Sequence, residues 1–560
     1  MSEEVKKQPE GEQQPAIVAF SPELLRLMDR RKQQLEECRQ AADGGDGGAA
    51  VQMGLNYLFG RGGVQKDQQQ AFHWFCQTEA DDPVALYWQA VCYDNGYGVE
   101  QDLLAAYRLF RDSAALDYPP AQCALGVCYE HGQGVPEDHQ EAVRLYRQAA
   151  QKGHLMARCN LGVMYYFGKG VEKDLKQAAL CFAQTAEKQL PRGQYLLGVC
   201  CEFGYGVPKD LQRAVALYRE AEQRGYPDAQ CALGVLHQSG KGVEKDLKRA
   251  AELYRQAAGQ GYARAQYYLG LSLDKGEGVE KNEEEAFSWF LQAAESDYVD
   301  AQFQAGLCYF FGHGTEKDVD KAAALFRRAA EKGHARAIAR LGVCYEKGLG
   351  LEPDVGKAVT LYHQAAQKGS AEGQFCLAML LRQGKGVEKD PKRAATLLRQ
   401  AADSGMVKAQ LLLGRCYLNG EGVEKKPAYA VYMFQQAAQR GSTEGMYHLG
   451  WCFEQGCGTA QDPALAAKLY RQAADKGHAE SARLLGLLYE SGRGVEKDTE
   501  RAAQLYRQAA EAGNEAARAE LKRLQTVHKA PAEDEGPKKG LGRLLDAFRR
   551  DKKKDDPSNT

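Results

Sequence analysis

Sixteen cysteines, eleven histidines and a recurrent Gly-x-Gly pair are the residues of this 560-residue chain whose types could do chemistry. Thiols and imidazoles can hold a metal or supply a nucleophile, and a glycine loop ahead of a helix can cradle a phosphate. Their spacing points elsewhere. Cys92, Cys128, Cys200, Cys308, Cys344, Cys416 and Cys452 each stand two residues after one recurring glycine position, or after the Ala90 that replaces it. Cys123, Cys159 and Cys231 stand three before it. Leu, Met, Ser or Asn fill the place two after the glycine elsewhere, so it reads as a small, mostly apolar buried slot. His154, His334 and His478 fall at what reads as an exposed junction, and no His-x-x-x-His or Cys-x-x-Cys spacing occurs. A phosphate loop is needed once, beside a strand and followed by Lys-Ser/Thr, whereas Gly-x-Gly returns in twelve successive units from Gly96 and Gly98 to Gly492 and Gly494. It reads as the tight turn between two helices. No catalytic residue, metal or cofactor is nominated, and the chain reads as non-enzymatic. The rival is a small-ligand or enzyme-like activity using Cys and His residues.

The elements that would position these residues repeat every 36 residues, as in Leu125-Gly126-Val127-Cys128-Tyr129, Leu341-Gly342-Val343-Cys344-Tyr345 and Leu485-Gly486-Leu487-Leu488-Tyr489. A period of this length marks a stack of identical supersecondary units. One unit can be read from Ala229 to Gly261. Ala229, Leu233, Gly234 and Leu236 have helical spacing and end in Gly240-Lys241-Gly242-Val243, which makes helix A. Asp246 then stands at an N-cap, and Ala250, Ala251, Leu253, Tyr254, Ala257 and Ala258 form the stripe of helix B, which stops at Gly261. The stop glycine returns at positions such as Gly153, Gly333 and Gly513, and the capping Asp at Asp102, Asp318 and Asp498.

Lys plus Arg at 73 against Asp plus Glu at 75 gives a net charge of -2, so nucleic acid is not an expected partner. The first nineteen residues lack the apolar core of a signal peptide, and no apolar run approaches the ~20 residues of a membrane span. A soluble cytoplasmic protein is expected.

The pattern Ala-x-x-x-Leu-Gly-x-x-Tyr-x-x-Gly-x-Gly-Val-x-x-Asp-x-x-x-Ala-x-x-x-Tyr-x-x-Ala-Ala-x-x-Gly resembles the Sel1-like repeat, a relative of the tetratricopeptide repeats. The resemblance covers thirteen units, centred at 36-residue intervals from Gly54 to Gly486, with Ala90 and Ala378 replacing two of the glycines. It implies an all-α fold: an α/α superhelical solenoid of about thirteen 36-residue helix-turn-helix repeats with capping helices, the A helices lining a concave surface. The cysteine pairs eight residues apart that mark a secreted branch of the family do not occur. The first unit carries an extra loop residue at Gly60-Arg61-Gly62-Gly63-Val64. Asp117, Gln189 and Asp297 replace the stop glycine, so those junctions are expected to turn differently. Asn282 can still cap its helix where Lys426 cannot, so helix B of the eleventh unit is expected to fray, at a cost of ~1 kcal/mol.

On a tetratricopeptide-like superhelix, the helix-A positions three before the central glycine and one, four and five after it would face the groove, and at 100° per residue they share one face. That stripe holds Tyr195, Tyr267, Phe303, Phe375 and Tyr447 three before the glycine, and Tyr166, Phe167, Phe203, Phe310 and Phe311 four and five after it. Carboxylates are interspersed at Asp94, Glu130, Glu202, Asp274, Glu346, Glu454 and Glu490, and Arg382, Arg415, Trp451 and Arg483 break the pattern late in the array. Exposed aromatics in such number point to a groove for an extended or helical peptide with apolar anchors and some basic residues. The alternative is that they pack on the adjacent repeat and complete the core.

At the ends, residues 1–20 read as disordered, 21–43 as an N-terminal capping helix, 44–525 as the solenoid and 526–560 as a flexible tail. The tail carries Leu541, Leu544, Leu545 and Phe548 amid Lys and Arg, a basic amphipathic segment suited to a membrane surface, a partner groove or the protein's own concave face. The expectation is a monomeric adaptor or scaffold for protein or peptide partners. A bacterial effector acting on host proteins is the further alternative.

Overall fold

The computed structural model describes residues 22–529; residues 1–21 and 530–560, including the basic amphipathic segment, lie outside the described residues. Among the described residues all regular structure is helical. Helix α1 (Pro22–Asp43) leads, thirteen helix pairs follow between Gly47 and Glu511, and α28 (Glu515–Lys529) ends the series. The helices fall into two compact units, which divide between Tyr298 and Val299. Seven pairs, centred on Gly54 to Gly270, belong to the first unit and six, centred on Gly306 to Gly486, to the second. Within each unit a helix packs chiefly on its sequence neighbours, giving an all-α solenoid.

One repeat shows why the sequence folds this way. Helix A runs Pro227–Ser239 and closes on Gly240, at φ 69°, whose N–H donates to the Leu236 carbonyl. Helix B runs Leu247–Gly259, and Asp246 Oδ1 accepts the Arg249 N–H at 2.9 Å. The chain then turns through Gly261 at φ 82°, a left-handed conformation that costs an L-residue about 1–2 kcal/mol. The central glycine is set by the helix-B ring. Tyr254 is fully buried, and a Cβ on Gly234 would lie 2.5 Å from its Cε1 atom. The same approach, 2.5–2.8 Å, holds between Gly126 and Tyr146, Gly198 and Tyr218, Gly342 and Tyr362, Gly450 and Tyr470, and Gly486 and Tyr506. Phe182, Phe290, Phe326 and Phe434 provide the ring in four other repeats. Where Ala378 stands in place of glycine, the facing residue is Leu398, a smaller group; Ala90 faces Phe110.

The loop glycines do more than turn the chain. A Cβ on Gly134, Gly206 or Gly278 would overlap the carbonyl of Leu103, Leu175 or Leu247, the first helical residue of helix B in the preceding repeat. The second glycine of Gly-x-Gly is thus a contact between repeats as well as part of a turn within one.

Three sequence expectations need correction. Asp117, Gln189 and Asp297 do not turn differently: at φ 67°, 58° and 64° they take the same left-handed conformation as glycine. Basic residues one repeat on reach back to two of these junctions. Lys152 pairs with the Asp117 carboxylate, and Arg224 donates to the Gln189 carbonyl at 3.0 Å. Helix B after Lys426 lacks a side-chain cap as expected, yet it keeps thirteen residues, Pro427–Gln439, so it has not frayed. His154, His334 and His478 are half-buried helix-A caps: each accepts, through Nδ1, the N–H three residues on, at 3.2, 3.0 and 3.2 Å. That bond requires an unprotonated Nδ1, and burial lowers the pKa of all three. Burial and the nearby Arg415 push His448 down to about 4. The first repeat is looser, its helix B spanning only Gln68–Cys76.

Three outcomes are expected. Gly234→Ala lowers stability by about 1–3 kcal/mol in denaturant unfolding, because a rigid ring must move, and much less in a Tyr254→Leu background. Lys426→Asp, which recreates the Asp-Pro start of the neighbouring repeats, raises stability by about 1 kcal/mol. The lowered histidine pKa values mean that the unfolded chain binds protons first. The stabilisation from the three caps is fully present above the unfolded pKa near 6.5 and is lost as pH falls below it through their lowered folded values. Thermal melts should show that slope, and Asn at 154, 334 and 478, which caps without titrating, should flatten it.

Candidate functional site

The groups that could do chemistry are occupied by architecture. Cys92, Cys128, Cys200 and Cys231 are buried, and burial pushes each thiol up to about 12, away from the thiolate a nucleophile or metal ligand needs. Among the described residues no three His, Cys, Asp or Glu side chains converge as metal ligands, and no helix is long and apolar enough to cross a membrane.

On the helix-A face the carboxylates four after the central glycine serve the fold. Five of them accept the phenol of the buried helix-B tyrosine of their own repeat: Tyr146 donates to Glu130 at 2.6 Å, Tyr218 to Glu202 and Tyr362 to Glu346 at 2.8 Å, and Tyr470 to Glu454 and Tyr506 to Glu490 at 2.9 Å. Burial first, and the carboxylate after it, raise the Tyr146 and Tyr218 pKa values. The same helix-A position also links repeats, through the residue between the two loop glycines of the next one. Glu346 meets Lys385 at 3.5 Å and Glu454 meets Arg493 at 3.8 Å. Arg382 is the same link with its charges exchanged, donating to Glu421 at 2.9 and 2.7 Å. Arg483 pairs with Glu480 at 2.6 Å. These two arginines therefore satisfy local carboxylates instead of breaking the pattern.

The aromatic stripe divides by position. Three before the glycine, the rings turn inward. Phe303 is 2 % exposed against Phe326 and His334, at 5.9 and 4.7 Å, and is not available as a groove anchor. Tyr195 is half-buried against Tyr218 and Tyr226, Tyr267 against Phe290 and Tyr298, and Tyr447 against Tyr470 and His478. Phe375 and Trp451 are half-buried against the core of the second unit, whereas Arg415 is exposed. For this row, packing on the neighbouring elements is what the structure brings about.

Five after the glycine the rings turn outward. Phe167 is 62 % exposed, Phe203 55 % and Phe311 50 %. Phe311 sits beside the half-buried Phe310, with rings 5.0 Å apart, and the Arg340 guanidinium lies 5.7 Å from its centroid. Phe167 and Phe203 belong to successive repeats and are joined by two further rings. Phe167 meets Tyr166 at 4.9 Å, Tyr166 meets Tyr205 at 5.5 Å, and Tyr205 stacks on Phe203 at 5.6 Å. Tyr205 was missed in the sequence, although an aromatic between two loop glycines, where Lys, Glu or Arg stands in six of the twelve Gly-x-Gly repeats, was a visible signal. At this link an aromatic pair replaces the polar one and leaves an apolar strip in the first unit that the repeat itself does not require.

A second aromatic surface lies on helix B of the eleventh repeat. Tyr429 and Tyr432 are exposed beside an open depression of about 630 Å³. Tyr429 stacks on Tyr417 at 5.4 Å, where other repeats set a cation over the helix-A tyrosine, as Lys321 does over Tyr309 and Lys357 over Tyr345, both at 5.3 Å.

The repeat geometry agrees with known proteins. The Sel1 repeat matches thirteen segments in succession, the first at residues 48–78 and the last at 479–514. Among solved structures, c5321, a protective antigen of uropathogenic Escherichia coli with an SLR fold, is 29 % identical over 78 % of this chain and 99 % of its own, with a TM-score of 0.54. A Sel1 repeat protein from Oxalobacter formigenes is 34 % identical over 44 % of this chain and 96 % of its own, with a TM-score of 0.42. Among curated proteins none matches the sequence. Thirteen consecutive matches over most of the length, on helix pairs built around one glycine and one ring, leave no ambiguity: the chain belongs to the Sel1 repeat family.

Proposed function

We propose that this protein is a non-enzymatic scaffold that binds segments of partner proteins on the helix-A face of its first unit. Sel1 repeat solenoids are typically protein-interaction scaffolds. The observation that carries the reading is the strip Phe167, Tyr166, Tyr205 and Phe203. Its two phenylalanines are more than half exposed on otherwise well-packed helices, and large rings kept in water at no benefit to the fold are the usual mark of an interaction surface. The occupant we infer presents apolar side chains to these rings and basic side chains to Glu130 and Glu202, which take the same helix-A position as Tyr166 in the repeats before and after it. Sixteen free cysteines fit a reducing compartment, and we place the protein in the cytoplasm.

A displayed peptide library panned on the intact chain tests this. Enriched sequences should combine apolar residues at helical or alternate spacing with Lys or Arg. Phe167→Ala with Phe203→Ala should weaken the selected peptides about 30-fold, the scale of a lost hot spot, while the melting curve stays in place, as expected of surface changes. Undiminished binding by the double variant, or enrichment of acidic peptides, would count against this surface.

A further inference from the structure

Three residues after the central glycine, helix A of several repeats in the second unit carries a tyrosine that takes a cation. Tyr345 receives the Lys357 ammonium at 5.3 Å, and the same ammonium pairs with the capping Asp354 at 3.4 Å, so its charge is compensated. Tyr417 receives one guanidinium, that of Arg399 in the preceding repeat, which donates to its phenol at 3.1 Å; its other neighbour is the uncharged ring of Tyr429. Tyr489 receives two. Arg471, on helix B of the twelfth repeat (Pro463–Asp475), donates to the Tyr489 phenol, and its Cζ lies 5.8 Å from the ring centroid. Arg501, on helix B of the thirteenth (Thr499–Glu511), brings its Cζ to 5.2 Å from the same centroid. Among the described residues neither guanidinium joins an ion pair. Two like charges thus converge on one ring with no carboxylate bound to either, an arrangement that costs energy in the free protein and that a bridging anion relieves.

The two arginines line an open cleft of about 690 Å³. Lys497 adds a third cation to its wall and Thr499 a hydroxyl. Two carboxylates also lie there. Asp498 is held as the cap of helix B, its Oδ1 accepting the Arg501 N–H at 2.8 Å, so Glu496 is the group that opposes an anion at this place.

The chemistry of these groups selects the ligand. Three cations and a hydroxyl all donate, and a guanidinium fork matches the oxygens of a phosphate, whose monoester carries nearly two negative charges and three strong acceptor oxygens. A carboxylate would offer one charge to three cations. A nucleotide fits poorly, because the cleft gives a base nothing to stack on: the Tyr489 ring is 6 % exposed and already faced by guanidinium groups, and Val495 is the one aliphatic side chain in the lining. The phosphoryl group itself is what this cleft can hold.

We propose that the cleft between Arg471 and Arg501 binds a phosphate monoester on a partner segment, the side chain of a phosphorylated Ser, Thr or Tyr. The site lies wholly within the second unit and uses none of the residues of the Phe167–Phe203 surface, so it stands or falls separately from that surface. It makes binding depend on the modification state of the partner: the dianion bridges two guanidinium groups, whereas the unmodified hydroxyl brings no charge to either.

The test uses the intact chain and degenerate fluorescent peptides with phosphoserine, phosphothreonine or phosphotyrosine at a fixed central position, each beside its unphosphorylated counterpart, followed by anisotropy. At least one phosphorylated pool should bind about tenfold more tightly than its counterpart, weaken as salt rises and be displaced by millimolar inorganic phosphate. Arg471→Gln with Arg501→Gln should remove that preference while the melting curve stays in place. Arg471→Lys with Arg501→Lys, which keeps the charge and loses the fork, should lower it, and Glu496→Gln should raise it. Phe167→Ala with Phe203→Ala should leave it unchanged. Equal affinity for phosphorylated and unphosphorylated pools would overturn the proposal, as would a preference that survives the two Gln substitutions or is lost with the two Ala substitutions. So would adenosine monophosphate, or vesicles containing a phosphoinositide, binding through Arg471 and Arg501 more tightly than any phosphorylated pool, since the phosphate would then belong to a nucleotide or a lipid.

Discussion

Eleven of the thirteen repeats are held to one geometry by the contact between a helix-A glycine and a helix-B ring. The ring of Tyr146, Tyr254 or Tyr470 occupies the space where a Cβ would be, so the two helices approach at a fixed distance and rotation. An aromatic ring buried to this degree removes roughly 150–250 Å² from water, which makes the contact the largest apolar contribution a repeat has to offer. Other features follow from it. With the ring against the glycine, its phenol reaches the carboxylate four residues on in helix A, and that carboxylate is then placed to meet the loop of the next repeat. At Ala378 and Leu398 both partners are replaced together, whereas Ala90 keeps a ring opposite it in Phe110.

This economy explains why little of the chain's reactive chemistry is available for catalysis. Twelve of the sixteen cysteines fill buried slots, aspartates cap helix B, and three histidines cap helix A in a form that must stay neutral. The loop glycines admit the backbone of the preceding repeat. What the repeat leaves over is small and local: Phe167, Phe203 and the tyrosines joining them in the first unit, Phe310 and Phe311 in the second, and the tyrosines of the eleventh helix B.

Much of the candidate surface was legible as composition but not as direction. The stripe of aromatics and carboxylates could be marked by counting from the central glycine, yet four positions sharing one helical face have different neighbours. Three before the glycine, a ring such as Phe303 meets the helix-B ring of its own repeat and the cap of the next helix A, so it is drawn into the core. Five after it, Phe167 meets only its neighbours in the strip and stays in water. A helical wheel assigns each residue an angle, whereas burial depends on what stands opposite. The acidic residues misled in a similar way, because a carboxylate that reads as a ligand for basic partners is, at Glu346, Glu454 and Glu490, already engaged by a tyrosine and a lysine or arginine.

The sequence by itself determined the helix pair, its period, its caps and its stops, because these depend on local conformational preferences that a residue carries wherever it sits: glycine at positive φ, aspartate before a helix, apolar groups at helical spacing. It also marked the departures at Asp117, Gln189, Asp297 and Lys426. Only the tertiary structure decided what those departures cost, since Lys152 and Arg224, 35 residues away in sequence, support two of the left-handed junctions. It alone separated buried rings from exposed ones and paired charges from unpaired ones. Burial and charge pairing are properties of contacts between repeats, and no position within a single repeat encodes its neighbour.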